Sequence, residues 1–333
     1  MAGTIAPDNH LSVVIPVYRG ERSLPILIEE LIQFSQPWQT AAGNGAVIDE
    51  IILVHDCGPD HSDAVIQELS AAHLQIRPIW LSRNFGQHPA TLAGMAGALG
   101  DWVITMDEDG QHDPRDIGTL LDQAIRDDLQ LVYARPLNPP HHGPLRNFFS
   151  RMAKRLSRAI HKDVNAGIFQ SFRLIDGEIA RNLAAYCGRG VFLDVALRWI
   201  VDRTGTAPVT LRREWGRPSG YSYRKLVSHF WTMILSSGAK PLRWISGLGC
   251  FAILFGVLLS VFVIAARLTN QIQVPGWSTL IMTISFFSGC ILTALGVVAE
   301  YMALITGIAL GQPLYLTLSR PRSRQLRSPE GGG

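Results

Sequence analysis

SVVIPV at residues 12–17, followed after a polar turn by LPILIEELIQF at residues 24–34, sets the reading of the chain. The first run is short, apolar and β-branched, and the second repeats apolar positions at helical spacing, so the pair reads as strand then helix. The pattern recurs. Glu50 to His55 precedes a helical Ala64 to Ala72, and Ile76 to Leu81 precedes Thr91 to Leu99. Trp102 to Met106 ends at an acidic turn before Ile117 to Arg126, and Leu131 to Ala134 adds a further strand. Short apolar strands alternating with helices predict an α/β domain built on a mostly parallel sheet covered on both faces. In such sheets ligands collect at the carboxyl ends of the strands.

The 333 residues leave room for one such domain of roughly 200 to 250 residues and a smaller appendage. With 30 Lys and Arg against 27 Asp and Glu, a net charge of +3 argues against nucleic acid as a partner and leaves basic functions to local clusters. Cys57, Cys187, Cys250 and Cys290 show no CxxC spacing, which points away from a zinc site or disulfide framework and fits a reducing cytosolic face. Met1 to His10 lacks the basic-then-apolar order of a secretory signal, so the first domain is expected to stay in the cytosol.

The appendage is apolar. Ile245 to Ala266 is 22 residues without a charge and Thr279 to Ala299 is another 21, each enough to cross a hydrocarbon layer of about 30 Å. A buried pair of core helices is the competing reading, but globular helices seldom run uncharged for this long. The expectation is a hairpin of two transmembrane helices, about 245–266 and 278–299. Between them Pro275-Gly276 turns the chain and Trp277 sits at the interface, while Glu300 and Tyr301 close the second span. Lys240 and Arg243 before the hairpin, with Arg320, Arg322, Arg324 and Arg327 after it, put both ends on the cytoplasmic side of a multi-pass membrane protein. The domain boundaries that follow are 1–220 for the cytosolic domain, 221–243 for a juxtamembrane amphipathic helix, 244–310 for the spans and 311–333 for a basic tail. Ser323 to Gly333 reads as disordered.

Asp107-Glu108-Asp109 leaves the strand 103–106 at the rim of the sheet. Three adjacent carboxylates repel one another unless a cation neutralises them, and hard oxygen ligands select Mg²⁺ or Mn²⁺. An ordinary solvated acidic turn is the alternative for such a triplet taken alone.

Its company narrows the choice. The chain resembles family 2 glycosyltransferases of the polyprenyl-phosphate or dolichyl-phosphate type through Val14-Ile15-Pro16-Val17-Tyr18 with Glu21, and through Val54-His55-Asp56-Cys57-Gly58 with Asp60. Further matches are Leu81-Ser82-Arg83-Asn84-Phe85-Gly86, Met106 to His112, Phe172-Arg173-Leu174 and Pro275-Gly276-Trp277. The likeness covers nearly the whole chain. It implies a GT-A fold and an inverting, metal-dependent transfer of a sugar from a UDP- or GDP-sugar to a polyprenyl phosphate at the inner membrane.

Carried over residue by residue, Pro16, Tyr18 and Glu21 line the nucleotide pocket and Asp56 hydrogen-bonds the base. Asp107 lies towards the ribose and metal, Asp109 binds the metal, Gln111 supports that site, and Arg83 adds positive charge beside it. The resemblance thus implies Asp107, Asp109 and Gln111 as both the catalytic and the metal-site residues. Two departures stand out: His55 where many relatives have an aspartate, and Ser171 where an acid often precedes Phe172. The second removes a candidate general base. A lipid monophosphate has a second pKa of about 6 and is largely dianionic near neutrality, so it can attack without surrendering a proton.

For the lipid phosphate, Leu145 to Lys162 reads as an amphipathic helix at headgroup level, with Arg146, Arg151 and Arg155 as candidate contacts. A solvated basic face over a globular core is the alternative. Arg213, Arg217, Ser219 and Tyr221 resemble the family's acceptor loop. Recurrent Gly and Ser in both spans favour association of copies into a homo-oligomer. Against the enzymatic reading stands a catalytically silent membrane scaffold that binds nucleotide-sugars or anionic lipids, which His55 and Ser171 keep open.

Overall fold

The computed structural model describes residues 7–138, 170–188, 191–212 and 276–321, with isolated positions between 249 and 265. The first half runs β1 (Asn9–Val17), α1 (Leu24–Ile32), β2 (Trp38–Gln39), β3 (Gly45–His55), α2 (Ser62–Ala72), β4 (Ile76–Leu81), α3 (Gln87–Ala96), β5 (Trp102–Thr105) and α4 (Ile117–Arg126). It continues with β6 (Leu131–Pro136), β7 (Arg173–Asp176), α5 (Gly177–Tyr186), α6 (Leu193–Ile200), β8 (Thr204–Val209), α7 (Trp277–Ala309) and β9 (Thr317–Leu318). The nine strands form one sheet, ordered β8-β6-β7-β5-β1-β3-β4-β9, with β2 paired to β3.

The centre of the sheet, β5-β1-β3-β4, is parallel. Its two faces explain why these strands read as unbroken apolar runs. Leu11, Val13 and Ile15 of β1, with Ile51 and Leu53 of β3, pack under α1, α2 and α4, whereas Val14, Ile52 and Val54 pack under α3, α5 and α6. Both faces are therefore buried, as the alternation of elements predicts. At Gly94 of α3 an added Cβ would lie 2.3 Å from Val14 Cγ1, so this helix lies against the sheet only because the side chain is a hydrogen.

β7 runs antiparallel to both β5 and β6. Its start therefore lies at the same rim as the ends of β1, β3, β4 and β5, and this reversal brings Ser171 and Phe172 to the site.

The chain divides into two compact units, Met1–Tyr223 with Pro313–Gly333, and Arg224–Gln312. In the second, α7 extends 33 residues from Trp277 to Ala309. Phe286–Ala309 is long and apolar enough to cross a membrane, and almost none of it is buried. The helix continues past Ala299, where the span was expected to end, and Glu300 and Tyr301 lie inside it. One charge does not interrupt a helix that good helix formers continue on either side. The end comes at Gly311, whose φ of +63° turns the chain. There Gly311 N–H bonds Ile308 O at 3.0 Å and Gln312 N–H bonds Gly307 O at 3.1 Å.

The span expected at 245–266 lies outside the described residues apart from helical positions such as Leu254, Gly256 and Leu258. The helices expected at 145–162 and 221–243, and the tail from Ser323, also lie outside them.

Candidate active site

Four parallel strands end side by side, and the loops that leave them carry the motif residues. The turn after β1 is fixed from two directions. Glu108 accepts from Tyr18 N–H at 3.0 Å and from Arg19 N–H at 2.9 Å, so the middle acid of the triplet ties the acidic turn to the β1–α1 loop. From the other side Asp60 accepts from Glu21 N–H at 3.1 Å and Ser62 Oγ accepts from Gly20 N–H at 2.8 Å. The Glu21 carboxylate in turn accepts from His61 N–H at 3.2 Å. Gly58 completes the join, since a Cβ there would lie 1.5 Å from the carbonyl oxygen of Tyr18.

Asp56 follows β3 and is buried, with 3% of its surface exposed. Its oxygens accept from Phe85 N–H at 2.7 Å and Gly86 N–H at 2.9 Å. Burial pushes its pKa up to about 6 despite those two bonds, which favour the charged form. Its neighbour His55 is also buried, edge-on to Trp80 at 5.6 Å, and desolvation holds its pKa low. Pro16 lies within β1 opposite Val54. The guanidinium of Arg83 stacks over the Phe85 ring at 4.8 Å.

Asp107 begins the acidic turn. Gln87 Nε2 donates to one carboxylate oxygen at 2.5 Å and Ser171 Oγ donates to the other. Burial raises the Asp107 pKa above the ordinary carboxylate value, and Ser171, Arg173 and Gln87 oppose that rise. Asp109 accepts from Gln111 N–H at 3.0 Å, which folds the turn on itself. His112 lies beneath, stacked on Phe172 with ring centroids 4.9 Å apart, and its Nδ1 accepts from Asp107 N–H at 3.1 Å. That bond requires the neutral ring with its proton on Nε2, consistent with a pKa that burial lowers to about 4.

Behind the turn, Arg173 and Asp194 form a buried ion pair, 3% and 4% exposed. Arg173 Nε also donates to Thr105 Oγ1 at 2.9 Å, and Tyr133 OH donates to Asp194 at 3.0 Å.

The fit of a cation follows from this donor set. Among the described residues no group of three or more His, Cys, Asp or Glu side chains is clustered to hold an ion. Two carboxylates two residues apart suit Mg²⁺ or Mn²⁺, which bind through one or two acids and complete their shell with substrate phosphates and water. Asp107 and Asp109 are the donors that such a metal would use, and both Asp107 oxygens already accept a bond, from Gln87 and Ser171.

The structure thus gathers Tyr18, Glu21, Asp56, Arg83, Asp107, Asp109 and Gln111 on loops at one rim, with Pro16 next to last in β1. Arg146, Arg151, Arg155, Arg213, Arg217, Ser219 and Tyr221 lie outside the described residues. Sequence reasoning missed Gln87, His112, Arg212 and the clamping role of Glu108. Arg212 pairs with Glu30 and Asp113 and its N–H bonds Gln111 O at 2.9 Å, so it braces the acidic turn from β8's end. Of these, only His112 carried a signal, its place directly after Gln111.

Comparison with known proteins gives this geometry a family. The model for glycosyl transferase family 2 matches residues 12–183, just over half of the chain. The chain belongs to that family. This glycosyltransferase is 30% identical to the undecaprenyl-phosphate 4-deoxy-4-formamido-L-arabinose transferase of Proteus mirabilis, over 94% of each chain. It is 29% identical to the enzyme of that name from Pectobacterium carotovorum, over 97% of this chain and 98% of that one. The bactoprenol glucosyl transferase of Shigella phage SfX is 25% identical over 93% of this glycosyltransferase and 99% of the relative. Among solved structures, glucosyl-3-phosphoglycerate synthase from Mycobacterium tuberculosis with Mn²⁺, UDP-glucose and phosphoglyceric acid matches 69% of this chain and 80% of its own. Its identity of 15% and TM-score of 0.48 are too low to bear on the chemistry here.

Proposed function

We propose that this glycosyltransferase moves a sugar from a UDP- or GDP-sugar to a polyprenyl phosphate at the inner, cytoplasmic membrane, with inversion at the anomeric carbon. The observation that carries the reading is the junction of acidic turn and nucleotide loop: Glu108 clamps the Tyr18–Arg19 amides while Asp107 and Asp109 flank it. The full-length likeness to transferases named for undecaprenyl phosphate and bactoprenol supports the acceptor. The apolar helix Phe286–Ala309, with the span expected at 245–266, would supply a membrane hairpin on which copies of the chain associate.

In this reading Tyr18, Pro16 and Glu21 wall the nucleotide and Asp56 accepts an imide or amide N–H of uracil or guanine, a charge-assisted bond. Asp107 and Asp109, steadied by Gln111, would hold Mg²⁺ or Mn²⁺. When bound, the cation neutralises charge on the departing nucleoside diphosphate. A phosphate oxygen of the lipid forms the new bond to the anomeric carbon as the bond to the diphosphate breaks, and the electron pair leaves with the diphosphate. No side chain need take a proton, because the acceptor is already dianionic. Ser171 agrees with that, since its hydroxyl is spent on Asp107. Arg213, Arg217, Ser219 and Tyr221, with Arg146, Arg151 and Arg155, are the proposed lipid-phosphate contacts.

The test is a membrane assay with undecaprenyl phosphate and a panel of UDP- and GDP-sugars, with and without EDTA. A glycosylated lipid phosphate that disappears with EDTA is expected. Nucleotide-sugar binding without turnover across the panel would instead favour the silent scaffold.

Asp56 gives the reaction a pH signature. Because its pKa is pushed up to about 6, protonation replaces the charged acceptor as pH falls below that value. Binding of the matching nucleoside diphosphate should weaken roughly tenfold between pH 7.5 and pH 5 in calorimetry, and Asp56→Asn should flatten the profile. The stability sign is opposite: a raised carboxyl pKa contributes stability below the ordinary 3.8 that is lost as pH rises through about 6.

A further inference from the structure

The described segment after α7 returns to the first unit and ends on the nucleotide side of the sheet. In the antiparallel pairing of β4 with β9, Trp80 lies opposite Leu318 and Leu81 opposite Thr317. The pairing then continues one residue past the strand, where Ser82 N–H donates to Leu316 O at 2.8 Å. Ser82 opens the loop 82–86, whose Phe85 and Gly86 amides hold Asp56. Cys57 Sγ, next to Asp56, donates to Leu81 O at 2.9 Å. The side chains repeat the connection, since Leu314 and Tyr315 pack against the same apolar cluster as Phe85, a cluster that includes Leu81.

We propose that residues 314–318 are a positioning strap for the nucleotide pocket: they fix the direction in which the loop 82–86 leaves β4, and so the amides that seat Asp56. The proposal builds on the nucleotide role given to Asp56 above. A strap that merely covered a sheet edge would need contacts along β4 alone. Among the described residues this one pairs two residues of the strand and spends its next bond on the first residue of the loop. Fixing the backbone at Ser82 removes freedom that the loop would otherwise lose on binding, so the strap pre-organises the pocket.

The experiment uses the full-length chain in membranes and three variants: Leu314→Ala with Tyr315→Ala, Leu316→Gly, and Tyr315→Phe. Leu316 is 54% exposed, so its glycine variant loosens the strap without opening the core. The readouts are KM for the sugar nucleotide that the wild type uses, KM for undecaprenyl phosphate, kcat, and hydrogen exchange of the amides at 82–86 and in β1. The first two variants are expected to raise the donor KM fivefold or more, with kcat and the lipid KM within twofold. Exchange at 82–86 should quicken while β1 stays protected, and Tyr315→Phe should behave as wild type. Unchanged exchange at 82–86, faster exchange with an unchanged donor KM, or a fall in kcat alone would each overturn the proposal. Should the wild type transfer from no sugar nucleotide, the proposed function itself fails and the strap's role falls with it.

Discussion

Asp109→Ala is expected to lower transfer by roughly 10² to 10³-fold while leaving the chain folded. A metal-bound leaving group draws several kcal/mol of stabilisation from the cation, and each 1.36 kcal/mol is a factor of ten in rate. Asp109 is half-buried on a turn, and the bond it accepts from Gln111 N–H at 3.0 Å is local. Its loss should therefore leave the core intact. The check is kcat at saturating donor and lipid across a titration of Mn²⁺, with circular dichroism as the control for folding. Wild-type turnover that persists in the variant at low Mn²⁺ would remove Asp109 from the metal site and with it the metal-dependent half of the proposal.

The second large effect is on stability. Asp194→Ala leaves the Arg173 guanidinium buried without its ion-pair partner and removes an acceptor of the Tyr133 hydroxyl. Breaking a buried pair from one side costs about 3–5 kcal/mol, which in a domain of this size corresponds to roughly 6 to 20 °C in Tm. The surface pair Arg203–Asp128, at 50% and 84% exposure, provides the contrast. Its removal should change stability by at most about 1 kcal/mol. Thermal unfolding of both variants in one buffer tests the pair of statements. Equal shifts would show that the Arg173 pair is no more important than a solvated one.

The parts of the fold legible in the sequence are those in which local pattern and tertiary environment agree. β4 and α4 begin and end where the apolar periodicity does. β3 illustrates the opposite case. Its strand starts at Gly45, five residues before the run that reads as a strand from Glu50, because Asp49 breaks the apolar pattern. The structure accommodates both acids at a bulge in the register with β1. Asp49 is passed over and bonds His10, while Glu50 turns inward to Ser12 Oγ at 2.7 Å and the Leu99 amide at 2.6 Å. α3 likewise starts at Gln87, before the expected Thr91, since Pro89 falls in the first turn, where a missing N–H is harmless. β7 is four residues long and its pairing is reversed, so no periodicity marks it as a strand.

At the site, residue types were legible and their partners were not. A carboxyl triplet after a strand announces an anionic rim. That the central Glu108 faces backbone amides of a loop some ninety residues earlier is decided by sheet order alone. The short strap after α7 was invisible for the same reason, since two residues of pairing carry no pattern.

The long apolar helix closes its own end. Leu310, Gly311 and Gln312 donate back to Thr306, Ile308 and Gly307, so three carbonyls of the final turn are satisfied within the chain. A terminus closed in this manner leaves few backbone groups for its surroundings to satisfy. Lengthening or shortening the stretch before Gly311 should therefore move the point at which the helix stops without unravelling its end.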